Sequence, residues 1–217
     1  MKRVGAGLLR DQTGGVMVEA SVMLVIIFVF VLGSVDFLMA MYQWNAAAKA
    51  VQIGARVAAV SNPVASAVTA ITGLEGGDLP GTAPPPAFTT RTCSGSSGSC
   101  SGGGSYDSAA MNTIVLGRGS AACGGTLSVY CIGMQTIFPR VQPANVTVSY
   151  IYNGLGFAGR PGVIVGTGGP VPTITVELQG LNFQFFFLGG LMGFNNIAIP
   201  SMRTTVTGED LSSSAPS

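Results

Sequence analysis

The sequence predicts an α+β protein, with one long N-terminal transmembrane helix continuing into an exported domain of short helices and an antiparallel β-sheet. Three observations carry this. The chain holds 217 residues, of which 47% are hydrophobic and only 9% charged, where soluble domains average about 25% charged. An apolar run near the N-terminus approaches the roughly 20 residues that a bilayer requires. The last third of the chain switches to β-branched and aromatic runs bounded by Gly and Pro, which is strand chemistry.

Residues 1–14, MKRVGAGLLRDQTG, form a polar and basic leader. Lys2, Arg3 and Arg10 oppose only Asp11, so the leader is net +2 and the remainder net −1. From Val16 to Trp44 the only charges are Glu19 and Asp36, and the run Ala20 to Val35 has none. Residues 15–42 therefore read as a membrane-spanning helix. Basic residues on its N-terminal side place that end in the cytoplasm and the bulk of the chain outside. Helical character persists over 43–61, which is rich in Ala and free of Pro until the stop signal Ser61-Asn62-Pro63. In this extension Ala46, Ala50, Gly54 and Ala58 recur every four residues, a small-residue ridge that admits a close neighbour. Either the chain's own domain or another subunit can fill that role. Lys49 and Arg56 share a different face.

Residues 62–105 read as a Gly/Pro/Ser-rich insertion of loops containing Cys93 and Cys100. The next segment, 106–207, reads as the α+β domain. It has expected short helices at Tyr106–Leu116 and Tyr130–Phe138 and expected strands at Val146–Tyr152, Thr173–Leu178, Phe183–Phe187 and Ile197–Val206. The aromatic run Phe183, Phe185, Phe186 and Phe187 fits a strand buried on both faces, which is the default over an exposed apolar surface. From Gly208 to 217 the chain is expected to fray.

The four cysteines, Cys93, Cys100, Cys123 and Cys131, favour disulfides in an exported chain. Their spacings miss the short intervals of zinc knuckles, so no metal site is expected. Pairing of Cys93 with Cys100 and of Cys123 with Cys131 closes short loops at low entropic cost, and is favoured over the two crossed alternatives. An oxidising compartment follows from such pairing.

Several function classes fall away on composition. The chain has no histidine, which removes His-dependent triads, dyads and zinc-hydrolase motifs. Lys2 and Lys49 are its only lysines, so a Ser-Lys dyad has little to draw on. Gly154-Leu-Gly156-Phe-Ala-Gly159 matches a dinucleotide fingerprint by letter, but Arg160-Pro161-Gly162 follows and no helix opens to receive a pyrophosphate. Basic residues beyond the leader are scattered, which sets nucleic acid aside. No catalytic residue and no cofactor are assigned.

Gly14-Gly15-Val16-Met17-Val18-Glu19, directly before the apolar run, resembles the cleavage site of prepilins. The resemblance implies that a prepilin peptidase cuts after Gly14, leaving Glu19 as the fifth residue of the new chain. A carboxylate in lipid needs a cation, and the new terminal amine of this chain or a neighbour supplies one. The competing expectation, a secretory signal cleaved after Ala46 to Ala48, puts the cut inside a helix. Beyond the cleavage site the chain is similar to TadE-like pseudopilins of the tight-adherence system, in Gly14, Val18-Glu19, Asp36-Phe37, Ala46 to Lys49 and Gly54-Ala55-Arg56. Val146-Thr-Val-Ser-Tyr150, Thr175-Val176 and Ser201-Met202-Arg203 are similar too. Departures are Ala20 where Phe usually follows the glutamate, Asp36 where Glu is commoner, and the Cys-containing insertion. Asp36, about 25 Å along the helix from Glu19, reads as an interfacial acid or as the partner of a basic residue on a neighbouring subunit or an assembly platform.

The resemblance implies a minor pilin-like subunit that assembles Flp-type adhesive pili, linked to secretion. Its partners would be the prepilin peptidase, other pilin or pseudopilin subunits, the inner-membrane assembly platform and the lipid bilayer. It would sit in the inner membrane with a periplasmic or extracellular domain, or within a pilus. The alternative is an unprocessed single-pass anchor bearing a binding module or adhesin.

Overall fold

In the computed structural model the described residues are 13–69, 71, 90–117, 132–152, 157–159, 168–193 and 197–208. The chain divides into two compact units. One comprises Met1–Tyr42 and Phe183–Ile197, the other Gln43–Asn182 and Ala198–Ser217.

Helix α1 runs from Thr13 to Ala59 without interruption. Its first half is rich in Val, Ile and Phe, poor helix formers in water, but no Pro interrupts it. In an apolar environment a helix is the one conformation that pairs every backbone group within the segment. The second half is held by Ala propensity. Arg56 lies in the last turn, where a cation meets the negative end of the helix dipole. Among the described residues this is the one helix long and apolar enough to cross a membrane.

In the first unit, Phe183–Ile197 accompanies the apolar half of α1. The strand expected at Phe183–Phe187 does not form. Phe183 N–H donates to the Ile197 carbonyl at 2.8 Å, after which the chain bends into a short helix, α4 (Leu188–Met192). Expected burial of the aromatic run is corrected with it: Phe186 is 66% exposed and Phe187 43%. The reason is that the amides here leave any ladder for a side chain of α1, described below.

The second unit is built on a five-stranded antiparallel sheet, in the order β2-β1-β3-β6-β7. The strands are β1 (Thr90–Ser94), β2 (Ser99–Ser101), β3 (Val146–Ile151), β6 (Thr173–Leu178) and β7 (Met202–Thr207). Alternation places Val146, Val148 and Tyr150 of β3 beside Ile174, Val176 and Leu178 of β6 on one buried face. The opposite face is joined by hydroxyl pairs, Thr92 with Ser149 and Thr175 with Thr205, each at 3.0 Å. β7 starts later than the expected Ile197, because Pro200 cannot donate to a ladder. A separate two-stranded ribbon pairs β4 (Phe157–Gly159), at the end of the dismissed fingerprint, with β5 (Gly168–Pro170).

The insertion differs most from expectation. Residues 90–101 are not loop but the sheet's edge hairpin, and Cys93 is fully buried. Gly and Ser dominate the tip and the short outer strand, while Thr-Arg-Thr-Cys-Ser alternates as a strand should and pairs along β3. A three-residue polar outer strand is also a usual way to blunt a sheet edge.

Cys93 and Cys100 lie opposite each other in the register and form a disulfide, with Cα atoms 4.0 Å apart. The expected pair is therefore made, and two of the four thiols are withdrawn from any zinc site. Cys123 and Cys131 lie outside the described residues. For a loop this short, chain entropy assigns the bridge about 2.5 kcal/mol. Reductant is expected to lower the thermal midpoint of the full chain accordingly, and an unchanged midpoint would show that the hairpin is held without it.

Two helices complete this unit. α2 (Ser108–Leu116) starts where Asp107 Oδ1 accepts from the N–H groups of Ala109 and Ala110, at 2.8 and 3.2 Å, and ends at Gly117 with φ +101°. α3 (Met134–Ile137) is shorter than the expected Tyr130–Phe138, closing at Phe138 before Pro139. Residues 130 and 131 fall outside the described residues. Gly133 is required at its start, since a Cβ there would stand 2.6 Å from the Val115 carbonyl oxygen. Gly208 N–H donates to the Pro172 carbonyl at 2.8 Å; the remainder of the tail lies outside the described residues.

Candidate functional site

Apart from the cysteines, the residues singled out by sequence fall on three stretches of α1. At the start, Gly14 and Gly15 lie in the first turn. The first four amides of any helix lack intrahelical partners, and each Gly weakens a helix by about 1 kcal/mol relative to Ala. A pair of glycines in that turn makes the Gly14–Gly15 peptide bond the easiest in α1 to present in extended form. Nothing lies within 4 Å of the space a Gly15 side chain would take.

Next comes the apolar stretch. Val16, Met17, Val18 and the side chains from Val22 to Val31 are largely exposed, as are Phe37 and Leu38. Its few polar groups are almost all satisfied internally. The Ser21 hydroxyl donates to the Val18 carbonyl and that of Ser34 to the Phe30 carbonyl, each at 2.8 Å, the usual way hydroxyls are hidden on apolar helices. Glu19 is the exception. It is exposed, and among the described residues its carboxylate makes no hydrogen bond or ion pair.

Asp36 is fully buried. Its Oδ1 accepts from the Phe186 N–H at 2.9 Å, and its Oδ2 from the N–H groups of Phe187 and Leu188 at 2.9 and 2.6 Å. Charge-assisted bonds of this kind are roughly twice as strong as neutral ones. They also satisfy the entry to α4, whose first amides have no helical partner. Neither sequence expectation for Asp36, interfacial water or a basic residue on a neighbour, describes this arrangement. The partners are backbone groups of the same chain.

Third is the extension. Ala46, Ala50, Gly54 and Ala58 are buried within the second unit, together with Ala47, Val51 and Ala55. A Cβ on Gly54 would sit 2.6 Å from the Met134 sulfur, so at Gly54 the ridge is met by the chain's own α3. Lys49 and Arg56 are exposed. Buried Gln43 accepts through Oε1 from an Arg140 guanidinium N–H at 3.1 Å, and that guanidinium also lies 5.8 Å from the Phe138 ring centroid. Partial burial lowers the Arg140 pKa from its ordinary value. Just past the helix, Tyr150 Oη accepts from the Val64 N–H at 2.9 Å and Tyr152 Oη donates to the Val68 carbonyl at 3.1 Å. Burial pushes the Tyr150 phenol well above its ordinary 10.0.

Sequence reasoning missed Arg140 and the amides of 186–188. The one available signal was the absence of any charged residue from 178 to 202. Among the described residues, no group of three or more metal-ligating side chains occurs.

Residues 14–56 match the family model of TadE-like proteins. No curated protein and no solved structure matches the chain. The matched stretch takes in Gly14, Glu19, Asp36 and the buried ridge as far as Arg56. The similarity to TadE-like proteins is thus confined to residues 14–56 of the 217, the stretch that forms most of α1.

Proposed function

We propose that the protein is a single-pass pseudopilin that takes part in assembling Flp-type pili. A prepilin peptidase cuts after Gly14, and α1 then acts first as a membrane anchor and later as the packing element of a subunit assembly. The observation that carries this reading is Glu19. In an apolar stretch whose serines and Asp36 are satisfied within the chain, one carboxylate is left without a partner among the described residues. A lone carboxylate in hydrocarbon is costly, and its position five residues after Gly14 suits the amine that cleavage would create on a neighbouring subunit. Residues 15–42 rise about 42 Å as a helix, enough to cross the roughly 30 Å hydrocarbon layer with some tilt.

On this reading the basic leader stays cytoplasmic and the domain is exported, in keeping with the Cys93–Cys100 disulfide. The further partners are other pilin-like subunits and the inner-membrane assembly platform. The role is structural, not catalytic. Small residues of the extension serve the chain's own domain, so contacts between subunits fall to the apolar half of α1.

The test is the mass of the N-terminal peptide of the membrane-fraction protein, with and without the host prepilin peptidase. A start at Gly15 that is lost without the peptidase is the expected result. A start at Met1 in both strains would reject processing and leave an unprocessed membrane anchor bearing a binding module or adhesin. A start near Lys49 would indicate a signal peptidase and a released domain.

A further inference from the structure

We propose that residues 183–193 form a second membrane contact, a short apolar excursion seated in the lipid beside α1, with Phe186 and Phe187 facing the acyl chains. The inference rests on the reading of α1 as a membrane span. Depth is the first argument. Asp36 lies six residues before Tyr42, about 9 Å inside the end of the apolar stretch. Its carboxylate holds three consecutive amides at 2.6 to 2.9 Å, so the backbone at 186–188 shares its level in the bilayer.

Chemistry is the second argument. No Asp, Glu, Lys or Arg occurs from 178 to 202, and the excursion itself reads Phe-Gln-Phe-Phe-Phe-Leu-Gly-Gly-Leu-Met-Gly. Non-helical backbone tolerates hydrocarbon only when its polar groups are paired within the protein. Such pairing is made at several points of the bend. The Phe183 N–H goes to the Ile197 carbonyl, the amides of Phe186, Phe187 and Leu188 go to Asp36, and α4 closes with the Gly193 N–H on the Gly189 carbonyl at 3.2 Å. Leu188 lies over Gly33, where a Cβ would come within 4.0 Å of it.

Continuity is the third. Phe186, at 66% exposed, is carried by an amide bound to Asp36, and Val35 and Phe37 on either side of Asp36 are exposed too. A water-facing loop would gain nothing from a carboxylate set inside the apolar stretch to receive it. Lipid is the occupant that covers the helix surface and the excursion together.

The test uses the full chain in phosphatidylcholine–phosphatidylglycerol vesicles. Trp44, the single tryptophan, is replaced (Trp44→Phe), and a reporter is introduced by Phe186→Trp or, separately, Phe187→Trp. Phe28→Trp, in the middle of the apolar stretch, serves as the reference for lipid exposure. Quenching by lipids brominated on the acyl chains should be within about twofold of the reference at both positions, with little quenching by aqueous acrylamide. Acrylamide quenching at 186 and 187, with bromolipid quenching only at 28, would place the excursion in water and overturn the proposal while the span stood. Protection from both quenchers would mean that protein, such as a second copy, covers the excursion, and would overturn it too. Absence of bromolipid quenching at 28 would remove the membrane span itself and the proposal with it.

Discussion

Replacing Asp36 by alanine is expected to accelerate hydrogen exchange at the amides of Phe186, Phe187 and Leu188 by roughly 100-fold or more, an opening free energy lower by about 3 kcal/mol. Three bonds from one carboxylate vanish at once. Each bond to a charged group contributes about 1.5–3 kcal/mol net, and amides left unpaired in an apolar setting carry a further desolvation penalty. The sum is not reached, because the segment can shift to find other partners. Asp36→Asn keeps one acceptor oxygen and is expected to fall between the two, since its amide NH2 opposes the N–H groups that the lost oxygen served. Amides of β3 and β6, in the other unit, should exchange as before. The measurement is exchange in the full chain in micelles; equal rates in Asp36→Ala and the parent would show that the excursion is held by something other than this side chain.

Gly54→Leu is expected to destabilise the chain by about 2–3 kcal/mol, a drop of roughly 10 °C in thermal midpoint. The Cβ alone would stand 2.6 Å from the Met134 sulfur and 2.7 Å from its Cγ. Met134 is fully buried and has little room to retreat. The gain in helix propensity over glycine, at most about 1 kcal/mol, offsets only part of this. Arg56→Ala, on the exposed side of the same turn, should move stability by no more than about 0.5 kcal/mol. The pair separates two uses of a small-residue ridge: a chain whose midpoint ignored Gly54→Leu would have to keep the ridge for contact with another subunit.

Much of the architecture was legible because it depends on local chemistry. An unbroken apolar run followed by Ala-rich sequence has few conformations other than a helix, and it ends at Ser61-Asn62-Pro63 as those residues dictate. Strict alternation in Thr173–Leu178 marked β6 to the residue. The helix expected at Tyr106–Leu116 forms as α2, starting two residues later. The nearness of Cys93 and Cys100 favoured their pairing. The hairpin 90–101 was hidden because Gly and Ser report on its turn and edge, while its strand character is supplied by β3, more than fifty residues away.

The sequence by itself determined the long helix, the positions of Gly14 and Glu19 at its start, and the alternating strands at the centre of the sheet. Only the tertiary structure decided the fate of Asp36, of the phenylalanine run and of the small-residue ridge. Periodicity and composition describe how a residue relates to its neighbours in the chain. The partners of Asp36 are backbone amides about 150 positions away, and an amide carries no residue identity for a pattern to detect. The ridge shows the same limit: small residues every four positions announce that something packs closely there, but that the partner is Met134 of the same chain follows only from how the chain folds back on itself.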